Sequence, residues 1–113
     1  MKLKVTTKGC FYYIDTNEIL FVRSAGNGCE VVLEDNEVVK TARRLGDIEG
    51  ELPNSSFYRV HKSYVVNMKR LTSMDYPANE IVVDFSIKIP ISRRKKAPFL
   101  ELMNLLEPGS PLD

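Results

Sequence analysis

Two cysteines and one histidine are all that 113 residues offer toward a metal centre. Cys10 and Cys29 lack CxxC spacing, and His61 alone cannot complete a zinc tetrad with them. Their plainer role is as small buried apolar residues, so neither a metal nor a cofactor is expected. Apolar runs are short as well. None approaches the roughly 18 residues of a membrane span, and the N-terminus carries no signal-peptide pattern. The expected location is the cytoplasm, away from membranes. Catalytic signatures are missing too: there is no GxSxG, HExxH, Walker loop or GxGxxG, and His61 stands in no known nucleophile arrangement. No catalytic residue emerges, and the chain reads as a non-enzyme. Excess charge of one sign is the last absence, the formal net charge being +1. That balance neither favours nor excludes a nucleic-acid partner.

What is present is charge segregation. Residues 53–74 contain no acid but carry Arg59, Lys62, Lys69 and Arg70; residues 85–100, also free of acid, carry Lys88, Arg93, Arg94, Lys95 and Lys96. Acids gather elsewhere, as in Glu34, Asp35 and Glu37 or Asp47, Glu49 and Glu51. Such a dipole can steer one face toward phosphate while total charge stays small. At the heart of the first basic run lies FYRVHKSYVVN, residues 57–67, in which rings and branched side chains alternate with hydrogen-bond donors. A surface of that kind suits a polyanion.

Length and composition fit one globular domain with a modest core, expected over residues 1–107 with a frayed tail at 108–113. The period-2 pattern of residues 2–7, the aromatic run 11–14 and the continuous apolar run 18–23 predict three strands, the last covered on both faces. Residues 24–28 form a loop in which Gly26 and Gly28 can take positive φ, and residues 29–34 and 37–41 complete two hairpins. Leu45, Ile48 and Leu52 share one face of a short helix that Pro53 ends. Residues 69–74, 80–85 and 86–91 read as further strands, with Pro90 tolerated only where no ladder donor is needed. The apolar stripe Phe99, Leu102, Met103, Leu105 and Leu106 predicts a C-terminal helix. If it starts at Ser92, Pro98 falls inside it; a start near Ala97 puts Pro98 at the first helical position and leaves residues 93–96 as a loop, which is the preferred reading. The fold expected is mostly β, built of short antiparallel strands with two small helices.

Chemistry then falls to loops: residues 24–28, 61–69 and 92–96. If they converge, Arg93 and Arg94 offer forks for guanine, Asn27 and Asn67 offer amides for adenine or phosphate, and Lys62, Lys69, Lys95 and Lys96 offer ammonium groups for the backbone. Each has a plainer reading. Residues 93–96 can be a solvated face or the start of a linker, His61 a hydrogen-bonded packing residue, Asn67 the closure of a turn, and Tyr12, Tyr13 and Tyr58 core residues.

The combination of FYRVHKSYVVNMKRL with the later IPISRRKK closely resembles the LytTR DNA-binding domain, the output module of many bacterial response regulators. Phe57, Arg59, His61, Ser63, Tyr64, Val66 and Asn67 match the family's first motif, and Ile89, Pro90, Ser92 and Arg93 its second. The resemblance implies a transcriptional regulator whose loops enter successive major grooves of double-stranded DNA, as a dimer on paired direct repeats in promoters. It implies contacts from Asn27 or Gly28, from Lys62, and from Arg93 and Arg94; Ser63, Asn67, Lys69, Lys95 and Lys96 complete the candidate DNA-binding set. It further implies a receiver domain or sensor histidine kinase as partner, with this chain either a fragment of a longer regulator or a stand-alone member. The rival reading is a protein-interaction or signalling module that sequesters an acidic partner or another regulator.

Overall fold

The computed structural model describes residues 1–106, so the tail expected at 108–113 lies outside the described residues. In chain order the strands are β1 (Lys2–Thr7), β2 (Cys10–Asp15), β3 (Ile19–Ala25), β4 (Gly28–Leu33) and β5 (Val38–Thr41), then α1 (Leu45–Glu49), β6 (Phe57–His61), β7 (Tyr64–Asn67), β8 (Leu71–Asp75), β9 (Glu80–Val83), β10 (Ile87–Pro90) and α2 (Arg93–Leu106). Five of the strands form an antiparallel sheet in the order β5-β4-β3-β7-β6. The hairpin β1-β2 and the three-stranded sheet β10-β9-β8 are separate.

Both faces of the five-stranded sheet are covered, and the sequence shows why. Successive side chains along a strand point to opposite faces. Val22, Val31, Leu33, Val65 and Phe57 join one core, together with Leu3, Val5 and Ile14 of the hairpin and Leu45, Ile48 and Leu52 in and just after α1. Leu20, Phe21, Val32, Val60 and Val66 join a second core with Ile81, Val83, Ile89, Ile91 and Phe99. The adjacent pair Leu20 and Phe21 reaches the same core because a bulge interrupts β3 between Ile19 and Phe21. The apolar runs ILFV and YVV therefore lack alternation for a physical reason. Layers on either side stretch the molecule to 51 × 26 × 24 Å.

Pro90 pairs with Glu80 on β10, which lies at the edge of its sheet, where a missing N–H costs least. α2 corrects an expectation. It begins at Arg93, not near Ala97, and Pro98 sits inside it. The missing N–H at Pro98 would have served the carbonyl of Arg94; both residues are solvent-exposed, so water can take that acceptor. Phe99, fully buried and 6.0 Å from the ring of Tyr58, anchors the helix from the opposite side.

Candidate nucleic-acid interface

Strand direction decides where the chemically rich turns go. β3 ends at Ala25 beside the first residue of β4, Gly28; β5 ends at Thr41 opposite Cys29; β7 begins at Tyr64 opposite Arg23; and β6 ends at His61 opposite Tyr64. All five strands therefore present the same end. The turn joining β6 to β7 is tied to the neighbouring hairpin by Ser24 N–H donating to the carbonyl of Ser63 at 2.9 Å. The entry to α2 is tied to β6 by Ser92 N–H donating to the carbonyl of Val60, also at 2.9 Å. Three turns far apart in sequence thus share one rim.

The turn at its centre is built by Arg59 and His61. Arg59 reaches along the strand so that Nε donates to the carbonyl of His61 at 3.0 Å and Nη2 to that of Lys62, while Nη1 pairs with Glu49 Oε1 at 2.8 Å. His61 Nδ1 accepts from Ser63 N–H at 3.1 Å, and its ring meets Tyr64 edge-on at 5.7 Å. Nδ1 therefore carries no proton in this arrangement. Two side chains pin the backbone, and Lys62, the residue after His61, is left exposed. Arg59, His61, Lys62, Ser92, Arg94 and Lys95 line a cleft of about 380 Å³.

Asn27, Lys62, Arg93 and Arg94 are exposed on this rim, and among the described residues no ion pair engages Lys62, Arg93 or Arg94. Lys95 and Lys96 are half-buried. The ammonium of Lys95 lies 5.6 Å from the ring of Tyr58, and that of Lys96 lies 3.7 Å from the ring of Tyr76 and donates to the Tyr76 carbonyl at 3.1 Å. The first turn of α2 contains no acid, so its cations face the positive end of the helix dipole. A bound anion would relieve that opposition.

Three of the expected residues are placed differently. Asn67 is 1 % exposed; Nδ2 donates to the carbonyl of Ile19 at 2.9 Å, and Oδ1 accepts from Lys69 N–H at 3.0 Å. Both ends of its amide are spent inside the protein, and its role is the turn closure that the sequence also allowed. Lys69 follows β7 at the end of the sheet remote from His61, where neighbouring Arg70 pairs with Glu34. Gly28 is glycine for packing: a Cβ there would stand 1.9 Å from the carbonyl oxygen of Thr41. In the same hairpin Gly26 takes φ +57° and makes the two-residue turn that lifts Asn27.

Arg59 and Tyr76 are absent from the candidate set drawn from the sequence. The R-x-H spacing puts Arg59 two residues before the end of β6, close enough to brace the turn that follows, but the bulge between Arg59 and His61 that sets them opposite Val65 and Tyr64 leaves no mark in the sequence. Nothing in the sequence joins Tyr76 to Lys96.

A β-rich assembly that gathers exposed polar and cationic side chains from two turns and the first turn of α2 on one rim has the charge pattern of a nucleic-acid-binding module. The LytTr DNA-binding domain family model matches residues 9–104, and the chain belongs to that family. It is 34% identical over 97 residues to a sensory transduction protein LytT of Oceanobacillus iheyensis, covering 81% of this chain and 39% of that protein. Against a transcriptional regulatory protein NatR of Bacillus subtilis the identity is 26% over 85 residues, covering 74% and 36%. A heme-containing CO-sensing transcriptional regulator, RcoM 2 of Paraburkholderia xenovorans, is 27% identical over 109 residues, covering 93% and 40%. The chain thus spans about two fifths of the length of these relatives. A solved LytTr DNA-binding domain of a putative methyl-accepting/DNA response regulator from Bacillus cereus has the same fold, with TM-score 0.77, 19% identity and coverage of 90% of this chain and 95% of that one.

Proposed function

We propose that this chain binds double-stranded DNA in a sequence-specific way on behalf of a transcriptional regulator, through the rim formed by Asn27, Lys62 with Ser63, and Arg93 with Arg94. The observation that carries the reading is the union of the three turns by the Ser24–Ser63 and Ser92–Val60 hydrogen bonds. Arg93 and Arg94 are the base readers, since a guanidinium fork matches O6 and N7 of guanine in the major groove. Lys62 and Asn27 are secondary contacts. Lys95 and Lys96 add positive potential at the backbone.

Engagement of successive major grooves by the turns of this rim extends the reading. Pairing of two copies on direct repeats is part of the same proposal. So is control by a receiver domain or histidine kinase, although the relative named as a CO sensor indicates that similar chains serve other inputs.

The test is a mobility-shift titration on a duplex enriched by the parent chain from a random pool. Arg94→Ala should weaken specific binding by about 1–3 kcal/mol and relax discrimination at one base pair. Lys69→Ala, at the far end of the sheet, should bind like the parent. Equal binding by the parent and Arg94→Ala, or failure of the parent to enrich any duplex, would overturn the proposal.

A further inference from the structure

The turn between β8 and β9 lies beside the start of α2, although nothing in the sequence connects them. Ile91 N–H donates to the carbonyl of Asn79 at 2.9 Å, one residue before Ser92 bonds to Val60. The segment 91–92 therefore bridges two sheets, and the β8-β9 turn continues the rim beyond Arg93 and Arg94. The turn is held from several sides. Asp75 Oδ1 accepts from Ala78 N–H at 3.1 Å, which commits that carboxylate to the turn, and Asn79 N–H donates to the Tyr76 carbonyl at 3.3 Å. The same carbonyl accepts from Lys96, whose ammonium also covers the ring of Tyr76.

Tyr76 nevertheless remains 56% exposed, and among the described residues its hydroxyl has no hydrogen-bond partner. The ring is held on one face by the Lys96 ammonium and is otherwise open to solvent, which leaves the hydroxyl at its tip available as a donor. Lys96 shares the first turn of α2 with Arg93 and Arg94, so the hydroxyl stands in a cationic neighbourhood suited to an anionic oxygen. Tyrosine hydroxyls are among the groups that fix a protein on the DNA backbone.

We infer that the β8-β9 turn is a fourth DNA-contacting loop, in which the Tyr76 hydroxyl donates to a backbone phosphate beyond the bases read by Arg93 and Arg94. Lys96 is a positioning residue that holds the ring and lowers the local cost of approaching phosphate. The inference rests on the proposed DNA-binding rim and extends it to the three-stranded sheet.

Tyr76→Phe keeps the ring under Lys96 and removes the hydroxyl alone, so it separates contact from turn stability. On a duplex enriched by the parent, Tyr76→Phe should bind about tenfold more weakly, as for loss of one hydrogen bond to a charged group, and Tyr76→Ala at least as weakly. The dependence of log K on log salt should keep its slope in both, because no cation has been removed. Phosphate ethylation should show one position, at the edge of the footprint, that matters for the parent and ceases to matter for Tyr76→Phe. The inference is overturned if both variants bind within about twofold of the parent with the same ethylation pattern, a difference too small for a lost charged hydrogen bond. A loss confined to Tyr76→Ala also overturns it, since the ring would then only prop Lys96. Arg94→Ala run alongside separates the levels: if it weakens binding while the Tyr76 variants do not, the rim stands without this turn, and if it does not, both readings fall.

Discussion

At the scale of single residues, Asn67 shows a motif position whose side chain is spent on the fold. Its amide closes the turn after β7 and ties that turn to the start of β3. Asn67→Ala leaves the carbonyl of Ile19 and the N–H of Lys69 without these partners, and unfolding stability should drop by about 1–3 kcal/mol in a denaturant titration. Base preference measured below the unfolding transition should not change. Cys29 makes a second residue-level case. Burial pushes its thiol above the ordinary range, with Arg59 and Arg43 pulling the other way more weakly. The thiolate is the nucleophile, so iodoacetamide at neutral pH should modify the exposed Cys10 and reach Cys29 only in denaturant. Rapid double labelling of the folded chain would contradict this placement.

Among elements, the β6-β7 turn and α2 divide what could be read in advance from what could not. The turn was legible because its residues carry unusual chemistry at tight spacing: Arg59, His61, Lys62 and Ser63 within one acid-free segment. The bracing by Arg59 was not, since it requires knowing that the guanidinium folds along the strand onto the carbonyls of His61 and Lys62. Arg59→Ala removes both bonds and leaves Glu49 without its partner at the edge of the rim. Stability should fall by about 2 kcal/mol. DNA affinity should drop further than that of an exposed-lysine variant far from the rim, and Arg59→Lys should recover little, because one ammonium cannot span the same acceptors. A DNA titration in which Arg59→Lys equals the parent would rule out the brace. For α2, proline dominated the local reading and favoured a start near Ala97. The burial of Phe99 and the bond from Ser92 to Val60 settle the start at Arg93 instead. Tertiary anchoring outweighs a local penalty that solvent can soften.

For the molecule as a whole, the β-rich class and eight of the ten strands were legible because apolar runs, turn residues and breakers agree along the chain; β6 and β7 were not, since residues 61–69 read as one loop whereas Tyr64–Asn67 is a largely buried strand inside the sheet. The two-core arrangement was less so. A continuous run such as ILFV announces a strand buried on both sides but does not say which elements cover it, and partners distant in sequence leave no local trace. The same limit applied to the rim, since only the register of five strands brings Asn27, Lys62 and Arg94 to one end. It also hid Lys69, which lies a few residues from Lys62 in sequence but across the length of β7 from it.

The hydrogen bonds that lace those turns to one another have a mechanical corollary. If these turns enter successive grooves as proposed, a rim laced in this way passes mismatch between turn spacing and groove spacing to the double helix. Duplexes that already curve, or that place compliant pyrimidine–purine steps between the grooves, would then be favoured over rigid ones bearing the same contacted bases.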